Sequence, residues 1–494
     1  MSDSDAYKRI TGAFRKHRNG ITFADVAADT GLSLNRVKTL VPLAADEYSA
    51  RLEVTESGEI LYSFPRGWRS RYRGPVPAAK KFLSLAAGFA AKAGKLLFKV
   101  WIMVMLLGYF LLFMAIALAS VFISVAGNSR SSGRRGGGVN VSFGFFHLIM
   151  RLWFYSELFG ARRSYGAWGG GTLREGKSRE SRPLHKAIFS FVFGDEDPNA
   201  DWETALKKAF ISYLRRRRGV VSLPELMTMA GLCPEKAESF IAGLCAEFSG
   251  SPEVTGEGTI VYRFDEILLS GEKQSGDGVF PVSAPPSPLP KKTKGFSSNP
   301  KKMNVWFGII NGVNLLFGSY FLYNAASIGN IMNEAVLRSS GMYGIVYYFL
   351  FRMGIDALPV IRVALGLVPL LFSALFWLIP AVRSAMLRKE NNAIRMDNFR
   401  GWGFGRIWTN PQNFRPADLD LKADEYRPAK PGEARDMVIR EMSRYSAPLV
   451  AVDENKNEVF DFPELGREKD ALEKYRLAIN KPDTPGKTIF DSGA

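Results

Sequence analysis

The stretch VWIMVMLLGYFLLFMAIALASVFISVA, residues 100–126, decides the fold class, because it contains no charged residue over its whole length. About 20 consecutive apolar residues are enough to cross the hydrocarbon core of a bilayer. A buried helix of a water-soluble domain would be shorter and would carry a polar stripe along one side. The stretch therefore predicts a transmembrane helix, and with it an integral membrane protein that is mainly α-helical.

Two more uncharged runs, at about residues 305–332 and 363–382, predict a membrane helical hairpin within residues 303–389. The first run contains Asn311 and Asn314, whose amides can form hydrogen bonds between helices packed in lipid. Both asparagines are candidate intramembrane polar residues.

Two weaker apolar segments, residues 139–160 and 341–356, leave the number of crossings open. Arg151 lies near the middle of the first, and Asp356 ends the second between two arginines. Ionisable residues inside a membrane are costly and are functional candidates by default, so Arg151 and Asp356 join the candidate sites. A loop position at the membrane surface explains Asp356 equally well.

The charge is strongly basic, with 65 Lys and Arg against 48 Asp and Glu and a formal net charge of +17. Such a surplus fits nucleic acid or the anionic headgroups of a membrane. Basic blocks at residues 66–99 and 161–186 flank the first membrane region, and the positive-inside bias places such flanks in the cytoplasm. The sequence thus predicts a multi-pass protein of a bacterial cytoplasmic (inner) membrane with soluble modules facing the cytoplasm.

Residues 31–65 match residues 231–265 without a gap, with 11 identical pairs in 35 positions. Each copy predicts three helices, with a glycine (Gly31 or Gly231) at the end of the second, where helix C-termini favour glycine. An alternating apolar hairpin ending in Tyr-x-Phe then closes each copy. Three helices followed by a two-stranded wing are typical of a winged helix, so the sequence predicts duplicated winged-helix-like (α+β) modules.

The domain organisation follows from these patterns. We predict a first module at residues 1–68, followed at 69–165 by a basic amphipathic segment with membrane helices at 100–126 and 139–160. A second module occupies residues 187–270, a Pro/Ser/Lys linker 271–302 and the membrane hairpin 303–389. A C-terminal soluble region with a degraded third module occupies residues 390–494. Modules of similar surface chemistry are most simply placed on one side of the membrane. That arrangement needs an even number of crossings between them, so we expect about four transmembrane helices.

Little in the chain indicates catalysis. There are two cysteines, Cys233 and Cys245, and three histidines, with no Cys-x-x-Cys pair and no Gly-x-Ser-x-Gly motif. A zinc site or an iron–sulfur cluster would lack ligands within one chain. We therefore expect no cofactor, no metal, no catalytic residue and no enzymatic activity.

The run of four arginines, Arg215, Arg216, Arg217 and Arg218, is the densest cluster of charge. At the end of a helix these cations complement the helix dipole, and beside a bilayer they are candidate contacts to anionic lipid. Arg36 and Lys38 in the third helix of the first module keep DNA binding open. Acidic wing tips argue against it, because a wing that contacts DNA is usually basic.

Three motifs are SSGRRGGG at 131–138, FSFVFGDEDPN at 189–199 and the two glycine-centred hairpins. They resemble a family of integral membrane proteins of uncharacterised activity from cyanobacteria, plastids and other bacteria. The likeness covers most of the chain, and FVFGDxDPN is its most specific motif. The resemblance implies a membrane protein and supplies neither an activity nor catalytic residues.

Three functions fit this sequence. The first is a membrane scaffold or adaptor whose modules dock protein partners, with membrane lipids as a second kind of partner. The second is a small transporter or a lipid-handling protein, favoured by the asparagines of residues 305–332. The third is a membrane-tethered DNA-binding regulator, favoured by the basic third helix of the first module.

Overall fold

The computed structural model describes residues 3–17, 20–56, 58–64, 75–127, 183–268, 286–331, 333–420, 426, 428, 430–454, 456–479 and 488–492. Within these residues the chain is mainly helical and forms two compact units. Unit 1 combines residues 1–86, 196–294 and 386–494, and unit 2 combines residues 87–195 and 295–385. The predicted return pass at 139–160, including Arg151, lies outside the described residues.

The helices and strands are numbered along the described chain. The helices are α1 (Asp3–Lys16), α2 (Phe23–Thr30), α3 (Leu34–Glu47), α4 (Pro75–Gly127), α5 (Leu184–Phe193), α6 (Trp202–Arg216), α7 (Leu223–Ala230), α8 (Pro234–Phe248), α9 (Lys301–Ser327), α10 (Glu334–Ser339), α11 (Gly341–Arg352), α12 (Ala357–Val360), α13 (Val368–Thr409), α14 (Pro431–Tyr445) and α15 (Pro463–Ala478). The strands are β1 (Arg51–Thr55), β2 (Ile60–Ser63), β3 (Val220–Val221), β4 (Ser251–Val254), β5 (Ile260–Arg263), β6 (Leu449–Val452), β7 (Glu458–Asp461) and β8 (Thr488–Asp491).

Unit 1 contains two segments with the same order of three helices and a hairpin, which we call module 1 (residues 3–64) and module 2 (residues 202–264). The second helix of each begins with a capping box, Thr22 with Asp25 and Ser222 with Glu225, which satisfies amides that the first turn leaves open. The hairpins have equivalent registers, since Leu52 pairs with Tyr62 as Pro252 pairs with Tyr262.

A third segment, residues 413–462, repeats part of this arrangement and is called module 3. Phe414 bridges Phe460 of β7, as Ile21 bridges Tyr62 in module 1. In each case the residue after the bridge donates its amide to a carboxylate three positions on, Thr22 to Asp25 and here Arg415 to Asp418 at 2.9 Å. The second helix is reduced to the 3₁₀ turn Pro416–Leu419, and α14 and the β6–β7 hairpin complete the series.

The hairpin of module 1 gains a third strand from the far end of the chain. Strand β8 pairs antiparallel with β1, giving the order β2-β1-β8, and Arg51 forms an ion pair with Asp491. The edge of β1 is thereby covered. A covered edge cannot recruit a foreign strand, which is a common way in which sheets avoid unwanted pairing.

Unit 2 holds most of the apolar sequence. Among the described residues, three helical stretches are long and apolar enough to cross a membrane: Ala93–Ile123, Lys301–Ser327 and Ala357–Thr409, the last of which continues beyond residue 385 into the sequence of unit 1. The last is α12, a π-helical turn over Ile361–Leu367 and α13 in series. The segment near 341–356 forms α11, which at 12 residues spans about 18 Å and is too short to cross on its own.

Two glycines of module 2 allow a matched test of close packing. Gly231 and Gly258 both have positive φ, 64° and 85°, where a side chain is strained. A Cβ at Gly231 would lie 2.3 Å from the carbonyl oxygen of Asp397, whereas a Cβ at Gly258 meets nothing within 4 Å. The two positions therefore differ in crowding and share the backbone cost.

We expect Gly258→Ala to destabilise the protein by about 1–2 kcal/mol, the cost of the left-handed conformation alone. Gly231→Ala should cost more, about 3 kcal/mol or above, because the backbone of α13 must also move. Urea denaturation of the purified protein measures both values. Equal losses for the two variants would contradict the contact of Gly231 with α13.

Candidate functional site

The four-arginine run lies at the end of α6, and most of its contacts are within unit 1. Arg215 forms an ion pair with Asp25 at 2.9 Å, and Arg217 is buried against the ring of Tyr213. Arg216 is exposed and bonds to Ser212 on its own helix. The structure thus assigns Arg215 and Arg217 to packing inside the protein, and a lipid contact by the run stays a prediction.

Arg218 and Arg476 join module 2 to α15. Nη2 of Arg476 lies 2.6 Å from Oε2 of Glu225 and also donates to the carbonyl of Val220 at 2.7 Å. The two side chains of this ion pair are only 3% and 2% exposed. Arg218 in turn donates to the carbonyls of Arg476 and Ile479 at the end of α15. Glu225 thus compensates the buried charge of Arg476, and Arg218 provides hydrogen-bond donors for the open carbonyls at the end of α15.

In both modules, the acidic residue near the start of the second helix also binds an arginine from another helix. Asp25 in module 1 receives Arg215 of α6, and Glu225 in module 2 receives Arg476 of α15. Each carboxylate therefore caps its own helix and binds an arginine from another element. These pairs connect the three chain stretches from which unit 1 is built.

A second carboxylate, partly buried, lies nearby on α15. Burial raises the pKa of Glu468 to about 7, and the hydroxyl of Tyr445 partly offsets this by donating to both carboxylate oxygens, at 3.0 and 2.9 Å. The same burial raises the pKa of Tyr445, and so does the adjacent charge of Glu468. Glu468 is thus a partly buried carboxyl whose pKa lies near neutral pH.

The candidate polar residues of the membrane segments have different surroundings. Asn311 and Asn314 are fully buried on α9 and donate to the carbonyls of Ser373 and Leu106, at 3.0 and 2.8 Å. Their side-chain oxygens, and the hydroxyl of Ser373, have no hydrogen-bond partner among the described residues. Asp356 is exposed and immediately precedes α12.

The FVFGDxDPN motif divides between the two units. In unit 2, Gly194 has a φ of 88° and packs against the guanidinium of Arg383, which donates to the carbonyls of Phe191 and Phe296 at 2.8 and 2.6 Å. A side chain at Gly194 would collide with this arginine. In unit 1, the carboxylate of Asp197 accepts a hydrogen bond from the amide of Asn199 at 2.9 Å. Helix α6 begins only at Trp202, so Asp197 stabilises the turn before it.

Unit 1 contains a groove that holds an extended piece of the predicted linker, residues 289–294, which we call the strap. Three asparagine side chains each bind the strap backbone through both a donor and an acceptor. Asn398 pairs with Lys291, Asn199 with Lys292 and Asn391 with Lys294, in six hydrogen bonds of 2.7–2.8 Å; the paired atoms are the amide N–H and the carbonyl oxygen of each lysine.

Two lysine side chains of the strap are also recognised. Nζ of Lys291 lies 4.5 Å from the centre of the Trp202 ring and 2.9 Å from Asp397. Nζ of Lys294 lies 3.0 Å from Asp197 and 3.1 Å from Glu390, and its hydrogen bonds to these carboxylates raise its pKa. The groove is therefore an acidic site in a strongly basic protein.

The sequence patterns did not predict this groove. The asparagines lie 93, 97 and 107 positions from their partners, and none belongs to a recognised motif except Asn199 in FVFGDxDPN. The one available signal is the spacing of Asn391 and Asn398, seven residues apart and hence on one face of α13.

The basic third helix of module 1 is engaged within the protein. Lys38 forms an ion pair with Glu266 at 2.7 Å, and Arg36 forms one with Asp3. Among the described residues, no group of three or more His, Cys, Asp and Glu side chains is arranged to hold a metal ion.

Comparison with known proteins identifies one distant relative. An uncharacterized chloroplastic protein of Arabidopsis thaliana is 24% identical over 429 residues, which cover 83% of this chain and 73% of the relative. No family model matches the chain, and no solved structure matches it. The chain is therefore similar, along most of its length, to a chloroplastic plant protein.

Glu468 generates a prediction about pH. Because the folded-state pKa is raised to about 7, the folded protein holds a proton that the unfolded chain releases near pH 4.5. Stability should therefore fall as the pH rises from about 4.5 through 7, with about 1 kcal/mol of this loss lying between pH 6 and pH 8.5. Urea denaturation midpoints at the two pH values measure this change.

Glu468→Gln should remove most of this pH dependence, because glutamine carries no titrating proton. Glu464→Gln, an exposed carboxylate on the same helix, is the matched control and should leave the dependence intact. An unchanged slope in Glu468→Gln would assign the pH dependence to other groups.

Proposed function

We propose that this protein is an integral membrane scaffold or adaptor whose soluble unit docks protein partners at the membrane. The observation that carries the proposal is the exposed apolar edge of β6. In β6 all four residues are exposed, with Leu449, Val450 and Val452 between 58% and 66% accessible. Apolar strand edges of this kind are sites where another chain can add a strand.

The three modules differ in whether the strand equivalent to β6 is open to pairing with another strand. We infer that they are copies of one winged-helix-like unit, because a strand pairing, an amide-to-carboxylate hydrogen bond at the next residue and the hairpin recur in the same order. The strand equivalent to β6 is covered by β8 in module 1 and contains Pro252 in module 2. Proline interrupts strand addition. In module 3, β6 pairs with β7 alone among the described strands.

Four membrane crossings are consistent with this function. Unit 1 draws residues 1–86, 196–294 and 386–494 into one core, and a compact body rich in charge cannot extend through hydrocarbon. We therefore place all three stretches on one side, the side favoured by the basic flanks. Ala93–Ile123 then needs a return pass, which we assign to residues 139–160.

A different observation favours a second function, that of a transporter or lipid-handling protein. The unpaired oxygens of Asn311, Asn314 and Ser373 are buried within unit 2. Buried polar groups without partners are expensive and are retained at functional sites more often than elsewhere. A polar path through the membrane helices would use them.

Cysteine labelling tests the single-sided arrangement. Single cysteines at the exposed positions Glu56, Lys236 and Glu454, in a protein with Cys233 and Cys245 replaced by serine, should all react with a membrane-impermeant reagent from the same side. Reaction of Lys236→Cys from the side opposite to Glu56→Cys would disprove the return pass at 139–160.

Site-specific photo-crosslinking tests the scaffold. A crosslinker at Val450 in native membranes should give a discrete adduct with another protein. Leu449→Lys with Val452→Lys should abolish the adduct, because charge on the strand opposes apolar pairing. Leu43→Lys, at a comparably exposed apolar residue on α3, is the control and should leave it unchanged. An adduct that persists in the β6 variant, or no adduct at all, would contradict docking at this edge.

A further inference from the structure

We propose that the groove occupied by the strap is a recognition site for extended basic peptides of partner proteins. Its ligand pattern is an apolar residue followed two and five positions later by lysine, as in Leu289, Lys291 and Lys294 of the strap. The strap is then the resident ligand that a partner segment displaces. This inference rests on the proposed scaffold function and names the chemistry of the partner.

The backbone contacts define an extended peptide. Asn391 and Asn398 are seven residues apart on α13, a rise of about 10.5 Å along the helix. The strap residues that they bind, Lys294 and Lys291, are three apart, which spans about 10 Å in an extended chain. The strap therefore runs antiparallel to α13 with matched spacing. These contacts involve backbone atoms only, so they accept any extended sequence without proline at the three bonded positions.

The side-chain contacts restrict which sequence fits. The Lys291 site combines an aromatic face with a carboxylate, and the Lys294 site combines two carboxylates. Leu289 packs against the core of unit 1, while its carbonyl accepts a hydrogen bond from the indole of Trp202 at 3.2 Å. Lys292 and Thr293 have exposed side chains and leave those positions unrestricted. The groove thus selects positive charge at two fixed positions.

The strap is bound in a way that permits exchange. Apart from Leu289 and the contact of Lys291 with the Trp202 ring, its contacts are hydrogen bonds and half-exposed ion pairs, each of which contributes little net stability in water. The strap owes its occupancy to being tethered, since a linked segment competes at a high effective concentration. A partner that is itself held at the membrane has the same advantage.

The test uses full-length protein in detergent and a fluorescent peptide with the sequence of residues 287–295, SPLPKKTKG. Lys291→Ala with Lys294→Ala weakens the resident strap and should raise peptide affinity at least roughly tenfold over wild type, because the tethered competitor is lost. A peptide with both lysines replaced by alanine should not bind. Fluorescence anisotropy measures both affinities.

Added Asn391→Ala and Asn398→Ala substitutions should abolish peptide binding, whereas Asn392→Ala, an exposed neighbour on the same helix, should not. In wild-type protein, excess peptide should speed hydrogen exchange at the amides of Lys291, Lys292 and Lys294 as the strap leaves. Equal peptide affinities of wild type and strap variant, or binding that leaves strap exchange unchanged, would overturn the proposal. Absence of peptide binding, together with an intact Val450 adduct, would contradict peptide recognition by the groove and would leave the proposed scaffold function unaffected.

Discussion

The buried ion pair between Arg476 and Glu225 is the interaction on which unit 1 most depends. Its arginine comes from the last stretch of the chain, and its carboxylate caps α7 in the middle stretch. Removing one partner of such a pair leaves an uncompensated buried charge, at a cost of about 3–5 kcal/mol. The pair of Arg215 with Asp25 makes the equivalent connection to the first stretch. Modules separated in sequence by long apolar helices are thereby joined into unit 1.

This assembly has a consequence for folding. The contacts that complete unit 1 join residues hundreds of positions apart, as in the pairing of β8 with β1 across 440 positions. Long-range contacts of this kind close late, because the entropy of loop closure must be overcome first. Modules 1 and 2 each have local helices and a hairpin, so their elements can form before the C-terminal stretch docks. The final stretch then covers the edge of β1 and the capping box of α7.

The surface of unit 1 combines covered and uncovered recognition elements. β8 covers β1, and the strap occupies the acidic groove, whereas β6 leaves its apolar edge exposed. Two of these surfaces are filled by extended segments of the chain itself: a strand along a hairpin edge and a basic segment along a helix. Both modes use backbone hydrogen bonds for affinity and a few side chains for selectivity.

How much of this could be predicted depends on the range of the interaction. The long apolar helix over 100–126, the glycines that end α2 and α7 and the two hairpins with equivalent registers are visible in sequence, because hydrophobic length, helix caps and turn residues act within a few positions. The asparagine groove and the internal partners of the four-arginine run are not visible. An asparagine that binds backbone atoms 93 to 107 positions away has no complementary residue to reveal it, and an arginine beside a membrane segment has the same letter whether it faces lipid or a buried carboxylate. Only the tertiary structure decides these cases, because only folding determines which charges and which backbone segments come within hydrogen-bonding distance.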